Sequence, residues 1–153
     1  MLELRESKPG ELAAFSAMEQ DVDTIAYIKP GTPQQHLAEF NREDVVYLSI
    51  YENQKLAGFF LLCLDADGNS VEFRRIVIAD KGNGLGQQAI PAMERYCRER
   101  LQRRRIWLDV FDFNHCGQHV YHKLGYRQFG RACFEGKPLL CYQKIIDGEH
   151  VDS

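Results

Sequence analysis

The stretch KGNGLG, residues 81–86, sets Gly82, Gly84 and Gly86 at alternate positions between a strand-like run and a helix-like one. That arrangement suits an anion. Backbone N–H groups at the start of a helix point outward, the helix dipole adds positive potential, and glycine admits a phosphate close to the backbone. A nucleoside-triphosphate loop would end in Gly-Lys-Ser/Thr, which this stretch does not. A dinucleotide fingerprint is matched in letter by Gly84, Gly86 and Ala89. Only one crossover follows, however, and Asp109 lies inside the next strand, not at its end. A turn that merely reverses the chain is the structural alternative.

Other residues carry weaker signals. Asp65, Asp67 and Asn69 in DADGN have calcium-loop spacing but lack the terminal bidentate acid, and strand patterns flank them, so a hairpin turn is expected. His115 and His119 stand one helical turn apart, but no functional metal site is expected there. The five cysteines are odd in number and unpaired by any motif, which argues against a disulfide framework or zinc knuckle. They read as reduced, mostly buried thiols, with Cys116 in the core beside Val120. The basic run Arg103, Arg104 and Arg105 reads as a solvated helix end.

The elements that must position these residues follow from periodicity. Leu2 to Glu6 is a short strand, and Pro9-Gly10-Glu11 opens a helix with Leu12, Phe15 and Met18 on one side. A second helix is expected over Pro33 to Glu43, with DVDTIAYIKPGT as a loop between the two. VVYLSIYE, KLAGFFLLCLD and SVEFRRIVIA read as three strands joined by hairpin turns. From Gly84 to Leu101 the apolar residues share one helical face, although Pro91 interrupts the pattern and removes a backbone donor. RIWLDVF is a strand, NHCGQHVYHKLG a short helix ended by Gly125, and YRQFGRACF with LLCYQKII a closing strand pair. The fold class is α/β, as a single domain over residues 1–153 with antiparallel strands first and one crossover later.

Composition bounds the partners. A chain of 153 residues with a 44% apolar share is long enough for one domain with a core. A net charge of −3 without a long basic block suggests neither a nucleic-acid nor a membrane surface. No stretch reaches the ~20 apolar residues of a membrane span, and Met1 to Pro9 has no signal-peptide core, so a cytoplasmic protein is expected.

Two segments together carry a family resemblance. RRIVIADKGNGLGQQAI resembles motif A of the GNAT superfamily of acyl-CoA N-acyltransferases, with Lys81, Gly84 and Gly86 in its Gln/Arg-x-x-Gly-x-Gly/Ala positions. Lysine departs from Gln/Arg, and the connection from Ile78 to Gly82 is about two residues shorter than the Pro-containing form usual in the family. NHCGQHVYHKLGY resembles motif B through Asn114, Tyr121, Lys123, Gly125 and Tyr126. The resemblance implies a central, mostly antiparallel mixed sheet whose parallel central strands splay, with helices on both faces. It also implies acetyl-CoA as the acyl donor: Ile76, Val77 and Ile78 pair with the pantetheine arm, and the N–H groups among Lys81, Gly82, Asn83, Gly84, Leu85, Gly86 and Gln87 receive the pyrophosphate, with Asn114 also on the cofactor side.

The reaction implied is acetyl transfer to a primary amine, either a protein N-terminus or a small molecule, and a homodimer is compatible with the family. Tyr121 matches the motif B tyrosine near the sulfur and is the candidate acid. Glu72, on the strand before the loop, is the candidate base. The Ile78 N–H is the implied oxyanion donor. With ~100° per residue, Asn114, Gly117 and Tyr121 share one side of their helix and His115, His119 and His122 the other. A noncatalytic acyl-CoA sensor is the alternative from a different class.

Overall fold

The computed structural model describes residues 2–20, 32–79 and 84–146. The loop expected between the first two helices, and Lys81, Gly82 and Asn83, lie outside the described residues apart from Thr32. The strands are β1 (Leu2–Glu6), β2 (Val45–Glu52), β3 (Lys55–Leu64), β4 (Ser70–Ile78), β5 (Arg105–Phe111), β6 (Arg127–Phe134) and β7 (Lys137–Ile145). The helices are α1 (Leu12–Glu19), α2 (Pro33–Phe40), α3 (Leu85–Glu99) and α4 (His115–Lys123), and a 3-10 turn at Pro9–Glu11 leads into α1. No helix among the described residues is long and apolar enough to cross a membrane.

One sheet of seven strands runs β1-β2-β3-β4-β5-β7-β6. All neighbours are antiparallel except β4 and β5, which the crossover through α3 makes parallel. The parallel ladder is short. It pairs Ser70, Val71 and Glu72 with Arg105, Ile106 and Trp107 and stops there, so the strands part toward their C-terminal ends.

Period-two alternation divides the sheet between two cores. Val71, Phe73, Ile106, Leu108 and Val110 meet Leu85, Ala89, Met93 and Cys97 of α3 in the larger one. On the opposite face Tyr47, Phe59, Leu61, Cys63 and Val77 pack on Leu12 and Phe15 of α1. The β3–β4 ladder contains a bulge, since Leu61 pairs with Arg75 and Leu62 with Phe73. Arg74 is the extra residue, and the shift puts Val77 on the α1 side while Ile76 and Ile78 join the α3 side.

Several expectations change. Helix α2 ends at Phe40, not Glu43: Asn41 caps it, and the Arg42–Asp44 turn feeds β2. Its start is fixed by Thr32, whose side chain accepts from the Gln35 N–H while Gln35 reaches back to the Thr32 N–H. Helix α3 continues through Pro91. The ring sits on the exposed side, as does Gln87, so water hydrates the carbonyl that loses its donor while Ala89, Ile90 and Met93 hold the helix by burial.

The arginine run is not a solvated helix end, because α3 stops at Glu99. Arg103 donates to the Asp65 and Ser70 carbonyls, and Arg105 to Gln143 and the Ser70 hydroxyl. Together they pin the β3–β4 turn to β5. The thiols are free, but only Cys63 and Cys97 are buried. Cys116 is exposed, contrary to the expected core position: it lies in the first turn of α4, and the core contacts come from Val120 and Tyr121 further along the helix.

Candidate active site

The site forms where β4 and β5 separate. Beyond Glu72 the β5-facing edge of β4 has no ladder partner among the described residues, leaving the N–H and C=O groups there open to an extended ligand. On its other edge β4 is fixed by β3, with Ile76 opposite Phe60, Val77 opposite Phe59 and Ile78 opposite Gly58. Gly58 is required at that point, since an added Cβ would strike the Val77 carbonyl oxygen. A glycine interrupting an apolar strand pattern signals such an approach, and sequence reasoning passed over it.

Helix α3 begins at the end of β4. Gly84 is its N-cap with φ 69°, a left-handed conformation that glycine adopts without strain, and no side chain caps the first turn. Leu85 is buried, and a Cβ on Gly86 would lie 3.9 Å from the Ile76 and Ile78 side chains, so the first turn is seated directly on β4. The N–H groups of that turn are the unsatisfied donors at the start of any helix, and Gly84, the N-cap, has no side chain to occupy them. An uncapped helix N-terminus beside an unpaired strand edge fits the two halves of acyl-CoA, an anionic pyrophosphate and an amide-rich arm.

Helix α4 packs on the α3 side of the gap. Asn114 caps it by accepting from the Gly117 N–H at 2.9 Å, and a Cβ at Gly117 would crowd the Asn114 amide at 2.7 Å, so this pair is matched in shape. Tyr121 is held edge-on by Phe73 and Tyr126, both with ring centroids 5.9 Å away. Burial pushes its phenol up to about 12. His115, His119 and His122 are exposed, with the His122 ring edge-on to Tyr142 at 5.9 Å.

Glu72 projects from the opposite face of the sheet, toward the side covered by α1 and α2, so the two candidate catalytic side chains approach the gap from its two faces. Its Oε1 accepts from Arg74 Nη2 at 3.0 Å, and Arg74 also reaches Glu39 at 3.5 Å. Next to it lies a buried network that sequence reasoning did not find. Glu19 takes Arg75 Nη1 at 2.6 Å and His36 Nε2 at 2.7 Å, and His36 Nδ1 meets the Tyr47 hydroxyl at 2.7 Å. His36 thus bridges the Glu19 carboxylate and the Tyr47 hydroxyl through its two ring nitrogens. Burial pushes the Tyr47 phenol well above its ordinary value. The network ties α1, α2 and β2 to the residue immediately before Ile76, fixing the unpaired stretch of β4 in place.

Comparison with known proteins agrees with this geometry. The model of the acetyltransferase (GNAT) family matches residues 12–126. Among solved structures, the spermidine N-acetyltransferase of Vibrio cholerae in complex with CoA and spermine superposes with TM-score 0.82 at 20% identity, covering 94% of this chain and 95% of that one. A structure described as a putative phosphinothricin N-acetyltransferase gives 0.79 at 19% identity, with 96% and 99% covered. A GNAT-family acetyltransferase of Streptococcus pneumoniae gives 0.74 at 19%, with 95% and 99% covered. With the family model matching three quarters of its length and the fold shared with these N-acetyltransferases, this chain belongs to the acetyltransferase (GNAT) family and is an acetyl-CoA-dependent N-acetyltransferase.

Proposed function

We propose that the acceptor is a small-molecule primary amine and that Glu72 and Tyr121 serve its acetylation from the two sides of the β4–β5 gap. The observation that carries this reading is the end of the parallel ladder at Glu72. It supports an unpaired strand edge for the cofactor, with Glu72 and Tyr121 contributed from opposite faces of the sheet.

Bound acetyl-CoA supplies an activated acyl group as a thioester. The chain's own residues do the rest. Ile76, Val77 and Ile78 offer backbone groups along β4, the Ile78 N–H among them as oxyanion donor. The N–H groups of Gly84 to Gln87 receive the pyrophosphate, and Asn114 sets the start of the helix carrying Tyr121. Glu72 removes a proton from the incoming ammonium, directly or through water. That task is large for an alkyl amine, because deprotonation at pH 7 costs about 4–5 kcal/mol, against about 1 kcal/mol for an α-amine. Tyr121 donates its O–H toward the departing sulfur.

The polyamine and phosphinothricin acceptors named for the similar structures support a small molecule over a protein N-terminus. An acceptor screen of alkyl monoamines, diamines, spermidine, amino acids and peptides with free N-termini, read by thiol release, tests this choice. Turnover confined to the peptides would overturn it.

A further inference from the structure

Among the described residues, helices α1 and α2 pack on β2, β3 and β4 and make no comparable packing on the same face of β5 and β7. With Ile106, Leu108 and Val110 committed to the α3 core, alternation puts Trp107, Asp109 and Phe111 on that open face, the face from which Glu72 projects. Glu72 and Trp107 are ladder partners, so Asp109 stands two residues further on, about 7 Å along β5, at the mouth of the gap.

The carboxylates on this side differ in their partners. Glu72 is paired with Arg74 and Glu19 with Arg75. Asp109 is exposed and, among the described residues, has no Lys, Arg or His partner; its neighbour across the β5–β7 pair is Cys141. Phe111 already accepts a cation from the chain itself, with Lys137 Nζ 6.0 Å from its centroid, and the Trp107 ring is fixed by its Nε1–H donating to Asp65 at 2.6 Å. An alkyl ammonium meets the same two needs, a carboxylate for its charge and an aromatic flank for its methylenes.

We infer that Asp109, flanked by Trp107 and Phe111, is the specificity-determining residue that docks a cationic amine acceptor at the mouth of the β4–β5 gap. This rests on the reading of the acceptor as an amine and adds the requirement that it arrive charged. Asp109 binds the ammonium before Glu72 takes its proton; no bond is made or broken at Asp109.

The test uses n-butylamine, 1,4-diaminobutane and spermidine as acceptors, with steady-state thiol release and calorimetry of acetyl-CoA on wild type, Asp109→Asn and Asp109→Glu. A hydrogen bond to a charged group corresponds to roughly 10- to 100-fold in affinity. Asp109→Asn therefore raises KM for the amines by about 10-fold or more, keeps kcat within about threefold at saturation, and leaves acetyl-CoA affinity unchanged, while Asp109→Glu recovers part of the loss. An unchanged KM overturns the assignment, as does a collapse of kcat at constant KM. A loss in Asp109→Asn that Asp109→Glu does not restore in any part also counts against it, since the charge would then not be what acts. If the wild type binds acetyl-CoA but acetylates none of the three amines, the acceptor class itself fails, an outcome distinct from failure of Asp109 alone.

Discussion

Removing one oxygen atom from Tyr121 separates proton donation from hydrogen bonding. Tyr121→Phe keeps the ring and its edge contacts with Phe73 and Tyr126, so fold and acetyl-CoA affinity should change little. Burial places the phenol at about 12. The phenol therefore stays protonated at neutral pH, and it is a weaker acid than a thiol of reference pKa near 8.5, which disfavours full proton transfer to the departing sulfur. The useful contribution is therefore a hydrogen bond to developing thiolate charge, about 1.5–3 kcal/mol, which corresponds to about 10- to 150-fold in kcat. That is smaller than the ~10²- to 10⁴-fold typical of general acid catalysis. Calorimetric affinity and steady-state thiol release on the same preparation check both halves. A loss beyond about 10³-fold would refute the hydrogen-bond reasoning. Collapse of affinity would make Tyr121 a cofactor-holding residue, and no change in either would leave it a packing residue.

Glu72→Gln nearly preserves shape while removing the base, so turnover of an alkyl amine should fall and partly recover as pH rises and free amine accumulates; a wild-type pH profile would exclude the role. Gly84→Val should weaken acetyl-CoA binding through a β-branched residue at φ 69°, whereas Gly84→Asn, which tolerates that conformation, should fold normally and isolate the effect of a side chain in the loop, with calorimetry and thermal melts read together. Gly58→Ala should destabilise by about 1–3 kcal/mol or more and loosen acetyl-CoA binding with it, because the added methyl meets the β4 backbone at Val77; an unchanged denaturation midpoint would show that the strands give way freely. Asp67 accepts from the Asn69 and Ser70 N–H groups and the Ser70 hydroxyl, and these bonds hold its carboxyl at about 2. Its stabilisation is present above the unfolded value near 4 and is lost as pH falls through about 2. Asp67→Asn should therefore flatten the acid limb of stability measured by pH-dependent melts, and an unaltered limb would contradict this.

What could be read beforehand depended on whether a residue's task is local. The glycine loop, the Asn114 cap and the Gly125 helix stop are set by neighbours a few positions away, and each was visible in the sequence. The β4 bulge at Arg74 was not, because it arises only when β4 is matched against β3, and it decides which of residues 74–78 face which core. The Glu19–His36–Tyr47 contacts and the Arg75 pair join residues 11 to 56 positions apart, so no spacing rule could bring them together. Cys116 was misplaced because it lies in the first turn of α4: Val120, one turn further along the same side, and Tyr121 pack on the core, while Cys116 stays exposed. The arginine run failed for a related reason. Its charges look solvated until the β3–β4 turn, more than thirty residues earlier, supplies its carbonyls.

The central claim is that the gap between β4 and β5 joins an acyl donor to an amine. Incubating the protein with acetyl-CoA and spermidine, with thiol release and N-acetylated product followed together, tests it most directly. The account predicts stoichiometric formation of both, dependent on enzyme and on each substrate, and abolished or strongly reduced in Glu72→Gln. Tight, saturable acetyl-CoA binding with no thiol released by spermidine or any amine in the screen would contradict it and leave a domain that senses acyl-CoA without transferring the acyl group.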